Sequence, residues 1–168
     1  MPDLDAVVAG NAEACRRFEA AVTRVPAAVW ATPIAPGKWT PAQIAEHVAI
    51  ATEVTGRALK GESGIPGLPR MVRPLVRSLF LRRVLKTKTF PRNAKGPKVF
   101  APSASPPPAP QIIARLRGAE LELEAAANAL RAQGLSTIEH PAFGRIPVEE
   151  YLELNAIHTR HHLAQLPA

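Results

Sequence analysis

Four stretches of this chain carry apolar residues at the three- and four-residue spacing of a helix face, and no stretch alternates convincingly as a strand would. Leu4, Val8, Cys15, Phe18, Val22 and Val25 form the first stripe, which predicts a helix from about Leu4 to Val25. The second helix has the sharpest start. Thr40 can cap it, Pro41 suits the first helical position, and Gln43 completes a T-x-x-Q capping box. Trp39 and Ile44 are placed for a hydrophobic staple across the cap, and the helix is expected to run to about Lys60, before Gly61. A third helix is read from near Pro110 to Gly134, through Ile112, Leu116, Ala119, Leu123, Ala126 and Leu130. The fourth begins around Pro147, with Glu149 and Glu150 at its electropositive end, and lines up Tyr151, Leu154, His158, His162 and Leu166. The expected fold is all-α, a four-helix bundle with one long crossover connection.

That crossover, Gly61 to Pro110, differs in composition from the rest. It holds ten of the eighteen prolines and ends in the run PSASPPPAP. Proline has no amide hydrogen and disfavours helix in the residue before it, so the run should be extended. Pro74 to Lys86 can still form a short extra helix. Between Ser63 and Ala119 there are twelve basic residues and no acidic one, whereas the remainder of the chain has nine basic against fourteen acidic. The net charge of +7 therefore belongs to one segment, which could attract an anionic surface or an acidic substrate. With 168 residues, the chain is expected to be a single domain over 1–168, interrupted by the basic, proline-rich crossover at 61–110.

Composition narrows the function classes. A hydrophobic content of 46% argues against disorder, and a single cysteine, Cys15, excludes an intramolecular disulfide or a multi-cysteine zinc site. Cys15 reads as a buried apolar residue of the first helix, with no catalytic role. The opening MPDLDAVV is acidic and lacks a cleavage signature, and no apolar run approaches the roughly 18 residues of a membrane span. A cytoplasmic location is the expectation.

The histidines carry the chemistry. His158 and His162 are one helical turn apart, about 40° on the wheel, on the stripe that should face the core. His47 occupies the corresponding face of the second helix, among Ile44, Val48, Ala51 and Val54. An i, i+4 imidazole pair plus a third from a facing helix can hold one divalent ion and leave positions open. Imidazole suits zinc, nickel or iron. His161, three residues from His158, could take the place of His162, but it points away from Leu166, so His162 is favoured and His161 is placed at the rim or behind the ligands, as a residue that orients them or the substrate. Tyr151, Asn155 and Gln165 lie within about 60° of the pair and are candidates to orient substrate or the ligands. His140, in EHPAFG, is read as holding a turn. The competing view is that the histidines are core residues bonded to one another or to backbone.

Two blocks, WTPAQIAEHVAIA and HPAFGRIPVEEYLELNAIHTRHHLAQL, resemble the DinB superfamily, the DinB/YfiT-like metalloenzymes. The blocks make up about a quarter of the chain. By position, the resemblance makes His47, His158 and His162 the metal ligands. It further implies a four-helix bundle, often dimeric, holding a divalent metal, with relatives that include transferases and isomerases using low-molecular-weight thiols such as bacillithiol or mycothiol. The basic crossover departs from the simplest members of that family and leaves substrate and partner open.

The expected activity is thus a metal-dependent transferase or hydrolase, in which a thiolate or hydroxide attacks a small electrophilic molecule. Glu46, Glu53 and Glu150 are read as solvated surface charges, leaving no evident general base. Arg82, Arg83 or Arg92 could meet an anionic group of the substrate. The alternative is a non-catalytic binding module that uses the basic crossover on a partner or an anionic membrane surface. Nucleic acid is not expected, because Phe80, Phe90 and Phe100 are the segment's only aromatics and no reader motif accompanies them.

Overall fold

Thr40 Oγ1 accepts the amide of Gln43, and Gln43 Oε1 accepts the amide of Thr40, both at 3.1 Å, so the capping box read from the sequence starts a helix at Pro41. The computed structural model describes residues 3–91 and 96–167. In chain order it has α1 (Leu4–Arg24), α2 (Pro41–Leu59), α3 (Arg73–Val76), α4 (Arg82–Thr87), α5 (Ala109–Ala132), a hairpin of β1 (Thr137–His140) and β2 (Gly144–Pro147), and α6 (Val148–Leu163). Helices α1, α2, α5 and α6 form the bundle. Among these described residues, no helix is long and apolar enough to cross a membrane.

Around the bundle, α1 packs on α5 and α6, and so does α2, which places α1 and α2 at opposite corners. The ion pairs give the directions. Arg115 meets Glu53 while Lys60 meets Glu122, so α2 and α5 run parallel. Arg117 meets Glu19 while Arg131 meets Asp5, so α1 and α5 are antiparallel. A parallel pair cannot be joined by a tight turn. The chain must return along the whole bundle, roughly 28 Å for a helix of this length, and this is the task of the crossover.

The described residues of the crossover are held by regular structure and core contacts. The predicted short helix is present as α3 and α4, joined through a wider π turn at Arg77–Leu81. Its buried Leu81 and Val84 complete a core with Leu59, Leu123, Ile146, Leu152 and Ile157. A second core, at the end where α2 begins, gathers Cys15, Phe18, Ile44, Val48, Ile112 and Leu116. Lys88 then turns the chain with a left-handed φ of 54°, its side chain paired with Glu153, and sends Phe90 back toward that second end.

The hairpin corrects the expectation of no strand. Ile138 pairs with Ile146, both facing the core, while Glu139 and Arg145 pair on the outer side at 3.2 Å. Four residues per strand are too few for alternation to stand out in a sequence. His140 holds the turn as expected, its Nδ1 accepting the amides of Ala142 and Phe143 at 3.1 and 3.2 Å. Burial, with the Arg73 charge nearby, pushes its pKa down to about 4.

Candidate metal centre

Near the start of α2 and the end of α6, three imidazoles meet. His47 Nε2 lies 3.0 Å from His158 Nε2, and His162 Nε2 lies 3.1 Å from the same atom. Because α2 and α6 are antiparallel neighbours, one turn of α6 supplies two rings and one position of α2 supplies the third. His47 and His162 are buried and His158 is half-buried.

The far nitrogens decide what the near ones can do. His47 Nδ1 is 2.6 Å from the carbonyl of Phe100, which only accepts, so Nδ1 carries the proton and Nε2 turns a lone pair inward. His162 Nδ1 lies 2.9 Å from Gln165 Oε1. A neutral His158 has at most one hydrogen at Nε2, and two neighbouring rings compete for it. A cation between the three nitrogens satisfies all of them at once. Zinc–nitrogen bonds of about 2.0–2.1 Å would set tetrahedral donors roughly 3.3 Å apart, close to the spacing found. The donor set therefore fits a divalent ion, and the cluster could hold one.

Electrostatics agrees. Loss of solvent lowers all three rings, His162 to about 3 with His47 adding to the effect, and His158 well below its ordinary value with His162 and His47 contributing. His47 is lowered by burial against the opposing Phe100 hydrogen bond. The rings are thus neutral at pH 7, the form a metal requires.

Two aromatics that sequence reasoning did not place at the site flank it. The Trp39 ring lies 4.7 Å from His47 and 6.2 Å from His162, and Phe90 lies 5.2 Å from His158 and 5.7 Å from His161. Trp39 had a signal, its position just before the cap, but that signal spoke for a staple. Phe90 and the Phe100 carbonyl arrive from the crossover, whose path no periodicity reveals.

Of the other candidates, Gln165 reaches His162, and its amide nitrogen lies 3.0 Å from His161 Nε2. Tyr151 and Asn155 are engaged deeper in the bundle. Asn155 Nδ2 donates to Asn11 Oδ1 at 3.0 Å, its Oδ1 is 3.3 Å from Thr55 Oγ1, and Tyr151 bonds Thr55 and packs on His140. Glu46 and Glu53 are not solvated charges. Buried Glu46 accepts the amide and hydroxyl of Ser103 at 2.7 and 2.8 Å, and Arg115 grips Glu53 through two bonds of 2.6 and 2.7 Å. Glu150 pairs with Arg77 at 3.3 Å. Arg82 and Arg83 are exposed, and Arg92 lies outside the described residues. Cys15 is buried with its thiol pushed up to about 12, chiefly by loss of solvent, and cannot serve as a nucleophile near neutral pH.

A four-helix bundle that gathers three neutral imidazoles from two facing helices defines a class of metal-capable helical proteins. Within that class, a model of the DinB superfamily matches residues 12–166, and the chain belongs to that family. The crystal structure of TT2238, a four-helix bundle protein, is similar in fold, with a TM-score of 0.58, 23% identity and 96% of each chain covered. No curated protein matches the chain.

Proposed function

We propose that this protein is a metal-dependent enzyme that holds one divalent ion, zinc, nickel or iron, through Nε2 of His47, His158 and His162. The observation that carries the reading is the convergence of three imidazole nitrogens, two of them with the far nitrogen bonded to a protein oxygen. The proposed reaction is transfer or hydrolysis on a small electrophilic molecule. An ion held by three neutral histidines keeps its full charge and open positions, where it would lower the pKa of a bound thiol or water. A low-molecular-weight thiol is the proposed co-substrate, since Cys15 is out of reach in the core.

The protein groups have separate tasks in this proposal. The Phe100 carbonyl fixes the His47 ring, which ties the crossover to the centre. Trp39 and Phe90 shield the imidazoles from water on two sides and offer faces for an apolar part of the substrate.

The test is elemental mass spectrometry on protein purified without a histidine tag, alongside His47→Ala and His162→Ala. About one metal per wild-type chain, lost in both variants while their helical circular dichroism persists, is the expected result. No metal after reconstitution, with melting unchanged by zinc or nickel, overturns the reading. In that event the second reading applies, docking of the crossover on an anionic lipid surface. It is favoured by exposed Met71, Leu75 and Leu79 beside exposed Arg82, Arg83 and Lys86. Binding to anionic vesicles that weakens steeply with salt would support it, and no binding at low salt would remove it.

A further inference from the structure

The end of α6 holds a device that acts on the centre without touching its middle. The sequence stripe suggests a helix as far as Leu166, but α6 stops at Leu163 and the chain tightens, the amide of Gln165 bonding the carbonyl of His162 at 3.0 Å. In such an i→i+3 turn, side chains three apart come into register. Gln165 is thereby folded back over His162, with its Oε1 2.9 Å from Nδ1 and its Nε2 3.0 Å from His161 Nε2.

The orientation of this amide follows from its neighbours. His47 is fixed with a lone pair at Nε2, because its Nδ1 proton goes to the Phe100 carbonyl. If the Gln165 amide were turned round, its NH₂ would donate to His162 Nδ1 and put the His162 proton on Nε2. That proton would occupy the lone pair of His158 Nε2, which would then face the His47 lone pair 3.0 Å away. With Oε1 toward His162, His158 instead keeps a proton that both neighbours can share, and no lone pairs collide. His161, accepting the other amide hydrogen, holds the amide in that sense.

We propose that Gln165 is a positioning residue. It fixes His162 in the Nδ1–H tautomer so that the Nε2 lone pair faces the centre, and His161 locks the Gln165 amide. The tautomer claim concerns the metal-free protein, whereas its consequence for affinity rests on the metal reading above. Hydrogen bonds of this kind to a ligating histidine typically change metal affinity by about 10–100-fold.

Long-range ¹⁵N–¹H correlation spectra of the metal-free protein at pH 8, with the histidines assigned, read the tautomer directly. His162 is expected to show a protonated Nδ1 and a bare Nε2. Gln165→Leu should convert it to a mixture, and Gln165→Glu, which keeps an acceptor, should restore it. His161→Phe should also loosen the preference. In parallel, chelator competition should give zinc binding weakened about 10–100-fold in Gln165→Leu and recovered in Gln165→Glu. Finding His162 protonated at Nε2 in the wild type, or an unchanged tautomer in Gln165→Leu, overturns the proposal. The expected tautomers in a protein that binds no metal would instead uphold the role of Gln165 and defeat the metal reading. Expected tautomers with zinc affinity unchanged in Gln165→Leu would overturn the affinity consequence.

Discussion

Lowering the pH of the metal-free protein from 7.5 to 5 probes how thoroughly its histidines are shut away from water. Burial pushes His162 down to about 3, with the neighbouring His47 and His161 adding and the Gln165 bond opposing. Burial and the Arg73 charge set His140 at about 4, and His47 and His158 are lowered as well. In the unfolded chain each returns to about 6.5. Between the folded and unfolded values the unfolded state binds protons that the folded state does not, so stability is full above about pH 6.5 and falls as pH drops. At pH 5 the deficit is roughly 1.5 pH units for His162 and the same for His140, about 2 kcal/mol each and roughly 4 kcal/mol together. Domains of this size are stable by about 5–15 kcal/mol, so the loss should be plain. Urea unfolding followed by circular dichroism, with a slope of about 2 kcal/mol per molar, should show the midpoint falling by roughly 2 M from these two rings, with His47 and His158 adding to the fall. In His140→Phe the fall in stability should shrink by about 2 kcal/mol, the share of that one ring, whatever the variant's starting stability. An unchanged midpoint between pH 7.5 and 5 would refute the reasoning, because the rings would then protonate as readily folded as unfolded.

Two further outcomes concern the crossover. Glu46→Ala removes the acceptor of both Ser103 bonds and should cost about 1–3 kcal/mol while speeding proteolysis within 61–110, read by urea midpoint and limited digestion. Leu81→Ala should cost about 2–5 kcal/mol, because Leu81 is fully buried in the core it shares with α6; a loss below about 0.5 kcal/mol would mean that the segment does not pack as described.

The parts of the fold legible in the sequence were those governed by local rules. The box at Thr40 and Gln43 needs only four residues to specify a helix start, and its bonds form as read. The i, i+4 spacing of His158 and His162 fixes their shared face, and the facing stripe of α2 supplies His47. What escaped was set by long-range packing. Glu46 looks like a flank charge on a wheel, but it is buried, with Ser103, fifty-seven residues on, and Arg115 of α5 against it. Tyr151 and Asn155 share the histidine face, but a shared face extends along the helix, and their partners Thr55 and Asn11 lie farther down the bundle. The hairpin was hidden because Ile138 and Ile146 are its only inward apolar pair, and they make sense only once the strands are opposed.

The uneven charge of the chain has a physical counterpart in this topology. Of the ten described basic residues in the acid-free block, four pair with acids outside it: Arg77 with Glu150, Lys88 with Glu153, Arg115 with Glu53 and Glu46, and Arg117 with Glu19. Each exposed pair contributes little to stability alone. Those at Arg77 and Lys88 hold the crossover against α6, whereas those at Arg115 and Arg117 join α5 to α2 and α1. The apolar anchors Leu81 and Val84 then fix the first half of the path at one core, and Ser103 on Glu46 fixes the second half near the other. Between those anchors the chain presents Phe90 and the Phe100 carbonyl to the histidines. The parallel pairing of α2 and α5 requires a connection that runs the length of the bundle, and this one shields and orients the histidines as it passes.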